Sequence, residues 1–225
     1  MVGTSVDQRI FQQPFSWKAL GVNIRGRAAT LKVNYRTSHQ IRPAADRFLP
    51  GQQRDVDGVV EERKGTVSVF NGPEPKIVVA NDEAAETSAV AAFIRDALSQ
   101  GVAPHEIGVF ARTSESLVRA RATVQPAGAE APELSDRGGD PGERVSIGTM
   151  HLAKGLEFKV VAVIGCDEDD LPLRSRIDEA ADEAELEDVY ETEGQLLYAA
   201  ATRARDRRLV TGVKPGSEFL RDMES

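Results

Sequence analysis

The 225-residue sequence predicts an α/β fold with a central, mostly parallel sheet flanked by helices. Short apolar runs rich in β-branched residues alternate with amphipathic segments, as expected when buried parallel strands are joined by crossover helices. With 40% hydrophobic residues the chain can bury one sizeable core, which favours one α/β domain over two small ones. The segment "NDEAAETSAVAAFIRDALSQGV" is punctuated like a crossover helix: Asn81 or Asp82 can cap its start, and Gly101 follows its last apolar position.

Taken in order, strands are predicted at 30–33, 66–70, 77–79, 107–111, 144–148, 159–164 and 208–211, and helices at 38–49, 84–100, 114–124 and 193–205. The Gly-, Pro- and Ala-rich stretch 125–143 breaks both periodicities and predicts an exposed, mobile loop. The acidic "DEAADEAELEDVYETEG" is helical by propensity, with Leu186, Val189 and Tyr190 as its only apolar side. It reads as a solvated cover, with an acidic mimic of nucleic acid as the alternative. No internal repeat is found.

The formal charge of −8 argues against a nucleic-acid partner until its distribution is considered. Residues 167–193 hold 13 acidic residues against two arginines, a local −11 that leaves +3 on the remainder. Within that remainder Arg25, Arg27, Lys32, Arg36, His39, Arg42 and Arg47 lie close together, either as an anion-binding face or as a solvated one. No run of about 18 apolar residues and no signal peptide is present, so an intracellular protein with no membrane partner is expected. The single cysteine, Cys166, lies in an apolar run and reads as a small buried hydrophobe, with no disulfide and no metal set.

"GTMHLAKGLEF" places a lysine beside a glycine between a predicted strand and helix, where a phosphate loop could stand. Such a loop needs Gly-Lys followed by Ser or Thr, so that backbone N–H groups wrap the phosphates and the hydroxyl holds magnesium. Here the order is Ala153-Lys154-Gly155-Leu156, which lacks that geometry. Read alone, His151 is a satisfied or surface histidine, Glu157 a solvated charge, Tyr35 a packing residue at a strand end and Arg36 a surface charge.

Four stretches in chain order, "DQRIF", "VNYRTSHQI", "GTMHLAKGLEF" and "QLLYAAATRARD", resemble the second half of the UvrD/Rep/PcrA-like superfamily 1 DNA helicases, from the end of motif III through motifs IV, V and VI. The resemblance implies a second RecA-like domain over 28–225, with 1–27 as an inter-domain segment and no large inserted accessory domain. It implies the C-terminal motor half of an ATP-dependent helicase moving 3′ to 5′, located in the cytoplasm with the nucleoid. In that reading Arg203 is the motif VI finger on the γ-phosphate, Arg36 offers a second fork to it and Gln8 senses it. Tyr35 stacks on adenine, while Gly155 and Glu157 lie on the nucleotide side, Glu157 toward the ribose. Thr149, His151, Arg9 and Arg112 face single-stranded DNA. ATP with Mg2+ would be held mainly by the first RecA-like domain, a partner whose phosphate loop and magnesium carboxylates precede motif III in the family. The chain alone is therefore expected to be inactive. One departure from the pattern is Gly194, where the family often has an arginine. The rival reading is a helicase-derived module that only binds DNA or another protein.

Overall fold

The computed structural model describes residues 33–38, 40–41, 53–54, 60–61, 67–132, 134 and 142–224. Two small pairings come first: β1 (Val33–Ser38) lies parallel to β4 (Val67–Phe70), and β2 (Gln53–Arg54) antiparallel to β3 (Val60–Glu61). The main sheet is built from β5 (Lys76–Ala80), β6 (Ile107–Ala111), β7 (Ser146–Thr149), β8 (Phe158–Val163) and β9 (Ala204–Val213). Its order is β5-β9-β8-β6-β7 and every pairing is parallel, so the predicted fold class is borne out. The helices are α1 (Glu83–Ser99), α2 (Leu117–Val124), α3 (Arg174–Glu179), α4 (Glu183–Ala201) and α5 (Glu218–Glu224).

The two-residue period of the strands divides the core. Val160, Ala162 and Ile164 join Val90, Ile94 and Leu117 under α1 and α2, whereas Val161 and Val163 join Leu196, Leu197 and Ala200 under α4. Helix α1 is capped as predicted: the Asp82 side chain accepts from the Ala85 N–H at 2.7 Å. Cys166 is buried, and burial pushes its thiol well above its ordinary pKa, so it packs as a hydrophobe.

Three elements differ from the sequence expectation. The acidic run and motif VI form one helix, α4, that starts at Glu183 behind the Asp182 cap and carries Gly194 in its buried face. The predicted helix start near Glu193 lay ten residues too late because the acidic residues hid a single apolar stripe. At the other end α4 stops at Ala201, so Arg205 lies on β9 rather than at the end of the predicted helix, and β9 begins at Ala204, ahead of the predicted strand start at Arg208. The segment 130–134 is hydrogen-bonded along β7, where an open loop was expected: Val145 donates to Glu130, Leu134 to Ile147, and Ile147 to Pro132. The predicted helix 38–49 and strand 30–33 lie outside the described residues, apart from Ser38 and Val33, which end and begin β1, and the two residues at 40–41.

The ends of the two central strands are fixed by an ionic lock. Glu86 of α1 is fully buried; one oxygen accepts from the Gly165 N–H at 3.0 Å and the Thr211 hydroxyl at 2.7 Å, the other from Nε of Arg119 on α2. Arg119 also donates to Asp167 at 2.6 Å, and Asp167 accepts from the Val213 N–H. Burial disfavours the Arg119 charge, but its bonds to Asp167 and Glu86 outweigh this and raise its pKa. Gly212 lets the chains approach here, since a Cβ on it would lie 2.2 Å from the Cys166 carbonyl oxygen. Glu86→Ala leaves the Gly165 N–H and the Thr211 hydroxyl without their acceptor and Arg119 with Asp167 alone, and is expected to lower stability by about 3–5 kcal/mol. Urea unfolding should show this as a lower midpoint at unchanged slope, with Ser88→Ala on the exposed side of α1 within about 0.5 kcal/mol of the parent.

Candidate functional site

Parallel strands give the domain two distinct edges, and the predicted site residues divide between them. At the amino-terminal edge, Phe158 begins β8 in register with Ala204 of β9, and its N–H donates to the Arg203 carbonyl at 3.0 Å. Glu157 and Arg203 are thereby backbone neighbours. Gly155 makes the approach turn at φ +84, a conformation that favours glycine. Glu157 is exposed. Arg203 is only 2% exposed; its Nε donates to the Ala199 carbonyl at 2.7 Å and its Nη2 to the Thr202 hydroxyl at 3.3 Å, which ties the guanidinium to the end of α4.

At the carboxyl-terminal edge, Thr149 ends β7 in register with Ala111 of β6, and the Met150 N–H donates to Ala111 at 2.8 Å. This brings Thr149 and His151 beside Arg112, which follows β6. The sequence reading placed Arg112 toward DNA. The structure buries it to 7% exposure and pairs it with Glu193 of α4, Nε to Oε2 at 2.6 Å and Nη2 to Oε1 at 2.7 Å. The same Oε1 accepts from Nη1 of Arg176 on α3 at 2.9 Å, and Glu193 itself is fully buried. His151 is half-buried among these charges. Burial lowers its pKa first, Arg112 and Arg176 lower it further, and Glu193 opposes them, so the imidazole is neutral at pH 7.

The edges stand one strand apart: β8 has six residues, about 20 Å at about 3.3 Å per residue. Residues 149–158 run from one edge to the other, and α4 does the same from Glu193 to Arg203, over about 15 Å. Tyr35 and Arg36 sit on β1, in a stretch where its register with β4 is irregular between Asn34 and Ser38; their side chains, and Gln8 and Arg9 altogether, lie outside the described residues. Among the described residues no group of three His, Cys, Asp or Glu side chains could hold a metal ion, and no helix is long and apolar enough to cross a membrane.

Sequence reasoning missed Arg176 and the role of Glu193, which pairs with Arg112, 81 positions before it, and with Arg176, 17 positions before it. Arg208, at the start of the predicted strand 208–211, is a further buried charge. On β9 it is 1% exposed, reaches the Ile41 carbonyl only at 3.5 Å, and among the described residues leaves Nε and Nη2 without hydrogen-bond partners. Burial lowers its pKa to about 10, so it stays charged at neutral pH. Arg207 faces the other side, paired with Asp96 and 5.1 Å from the Phe93 ring centre.

The turn at Gly155 and the helix α4 that spans the sheet carry the two longest stretches of the resemblance noted in the sequence. Residues 130–214, which carry motifs V and VI, match the model of the UvrD-like helicase C-terminal domain, so the resemblance found in the sequence is borne out. The chain is 44% identical over 72 residues to a probable DNA helicase II homolog of Mycoplasma capricolum; the match spans 32% of this chain and 9% of that protein's length. It is also similar in fold to the crystal structure of the C-terminal domain of a possible DNA helicase from Lactobacillus plantarum WCFS1, with TM-score 0.57 and 18% identity over 84% of this chain and 94% of that one.

The charge cluster can be read directly. In an NMR titration of the three histidines, His151 is expected below the ordinary value of about 6.5. Glu193→Gln should move it further down, because the carboxylate is the one group holding it up; an upward move would show that His151 lies outside the cluster's field.

Proposed function

We propose that this chain is the C-terminal motor half of an ATP-dependent, 3′-to-5′ DNA helicase, working in the cytoplasm with the nucleoid and closing on a first RecA-like domain. The observation that carries the reading is the separation of two chemistries on one sheet, bridged by motif V and α4. Glu157 and Arg203 are backbone neighbours at the amino-terminal edge, and a polar and cationic group stands at the other. The first set suits a nucleotide: Glu157 would accept from a ribose hydroxyl, Tyr35 would stack on the base, and Arg203 with Arg36 would meet the γ-phosphate. ATP and its magnesium would be held mainly by the first domain, where metal-bound triphosphate supplies the phosphoryl group; the present chain would contribute positive charge to it. Thr149 and His151 would bind single-stranded DNA at the other edge.

Burial of Arg203 against the end of its own helix favours one rival, in which it is a structural charge and the domain only binds DNA or protein. The two are separated in a motor reassembled with a first RecA-like domain. Arg203→Ala should reduce ATP turnover by at least about 10²-fold while single-stranded DNA binding persists, and Arg203→Lys should rescue little because an ammonium cannot reproduce the planar fork. Unfolding, or turnover within a few-fold of the parent, would favour the structural role. Tyr35→Ala should chiefly raise KM for ATP, since stacking serves ground and transition states alike. The chain by itself should release no phosphate from Mg-ATP with single-stranded DNA present.

A further inference from the structure

We propose that Arg176 is a phosphate ligand for single-stranded DNA at the carboxyl-terminal edge, and that Glu193 is the positioning residue that sets Arg176 and Arg112 side by side to grip it. The inference deepens the proposed function and rests on its DNA face. Arg176 is one of only two arginines in the acidic run 167–193, so the charge of that run conceals it. It is also the one that turns inward, onto a fully buried carboxylate.

The cluster is not balanced. One carboxylate faces two guanidinium groups, and among the described residues no second carboxylate pairs with either, so the group carries a net charge of +1. Burying charge is costly unless it is matched, which makes an external anion the natural complement. Geometry agrees with charge. Among the described residues Arg112 commits Nε and Nη2 to Glu193 and Arg176 commits only Nη1, which leaves donors on both forks beyond the carboxylate. Arg112 is held at 7% exposure, whereas the Arg176 side chain is 36% exposed and is the one with room to reach outward. Thr149 ends β7 in register with Ala111, next in sequence to Arg112, and His151 lies in the field of both arginines, so the cationic pair sits on the edge given to DNA.

The neighbouring Arg174 provides the control. It lies two positions away on the same helix, is 62% exposed, and pairs with Asp169 and Asp178 instead of Glu193. The experiment is fluorescence anisotropy of the full chain on a labelled oligo-thymidylate, over salt from about 20 to about 200 mM. Removing one cation that neutralises a phosphate should flatten the plot of log K against log salt by about 0.7 for a single strand. Arg176→Gln is expected to show that change and to weaken low-salt binding about fivefold. Arg176→Lys should keep the parent's slope at reduced affinity, since the charge stays while the planar fork does not. Arg174→Gln, the same change in net charge, should leave the slope unchanged. An unaltered slope in Arg176→Gln, or an equal weakening in Arg174→Gln, overturns the clamp and leaves the helicase reading standing. Failure of the parent chain to bind at any salt overturns the DNA face and the clamp together.

Discussion

The lock of Glu86, Arg119 and Asp167 fixes the geometry on which the rest of the domain depends. A parallel sheet leaves the carboxyl ends of its strands to loops, and loops need partners for their backbone groups. Here one buried carboxylate takes the Gly165 N–H after β8 and the Thr211 hydroxyl of β9, while Asp167 takes the Val213 N–H. The guanidinium between them ties both helices of one layer to both central strands. The far layer can then carry the helix that spans the sheet, because β8 and β9 beneath it cannot slide apart.

That far-layer helix does two jobs with one apolar stripe. Leu196, Leu197 and Ala200 seat α4 on the core, and Glu193, in the same buried face, reaches the residues after β6. Arg203 follows at the other end. A shift of α4 along its axis would therefore be felt at both edges, since Glu193 is bonded to Arg112 and Arg176 while the Arg203 carbonyl just past its carboxyl end accepts from the Phe158 N–H. Packed helices of this kind move as rigid pieces more readily than they deform.

Much of this was legible in the sequence, for identifiable reasons. Strands buried on both faces read as apolar runs, so β6 and β8 were found nearly residue for residue, and the Asp82 cap fixed the start of α1. Thr149 and His151 were placed together because one short motif holds them. What stayed hidden depends on tertiary context. The acidic residues that open α4 masked the continuity of its apolar stripe with motif VI. Arg208 breaks the apolar pattern of a strand whose burial is decided by the layers around it. The Glu193 pairings join residues brought near by strand order alone, and no local spacing announces them.

The strip at 130–134 gives β7 a companion although it is no regular strand. Leu134 packs against Gly148, where an added Cβ would lie only 3.2 Å from its side chain, and Pro132 accepts the Ile147 N–H. A bare outermost strand offers a ladder of unpaired groups to any extended chain, including a second copy of itself. With that ladder already occupied, and with a proline that has no N–H to offer in turn, this flank of the sheet is a poor template for edge-to-edge aggregation. The function proposed above, in which one face docks repeatedly on a partner domain, is served by a second face that recruits nothing.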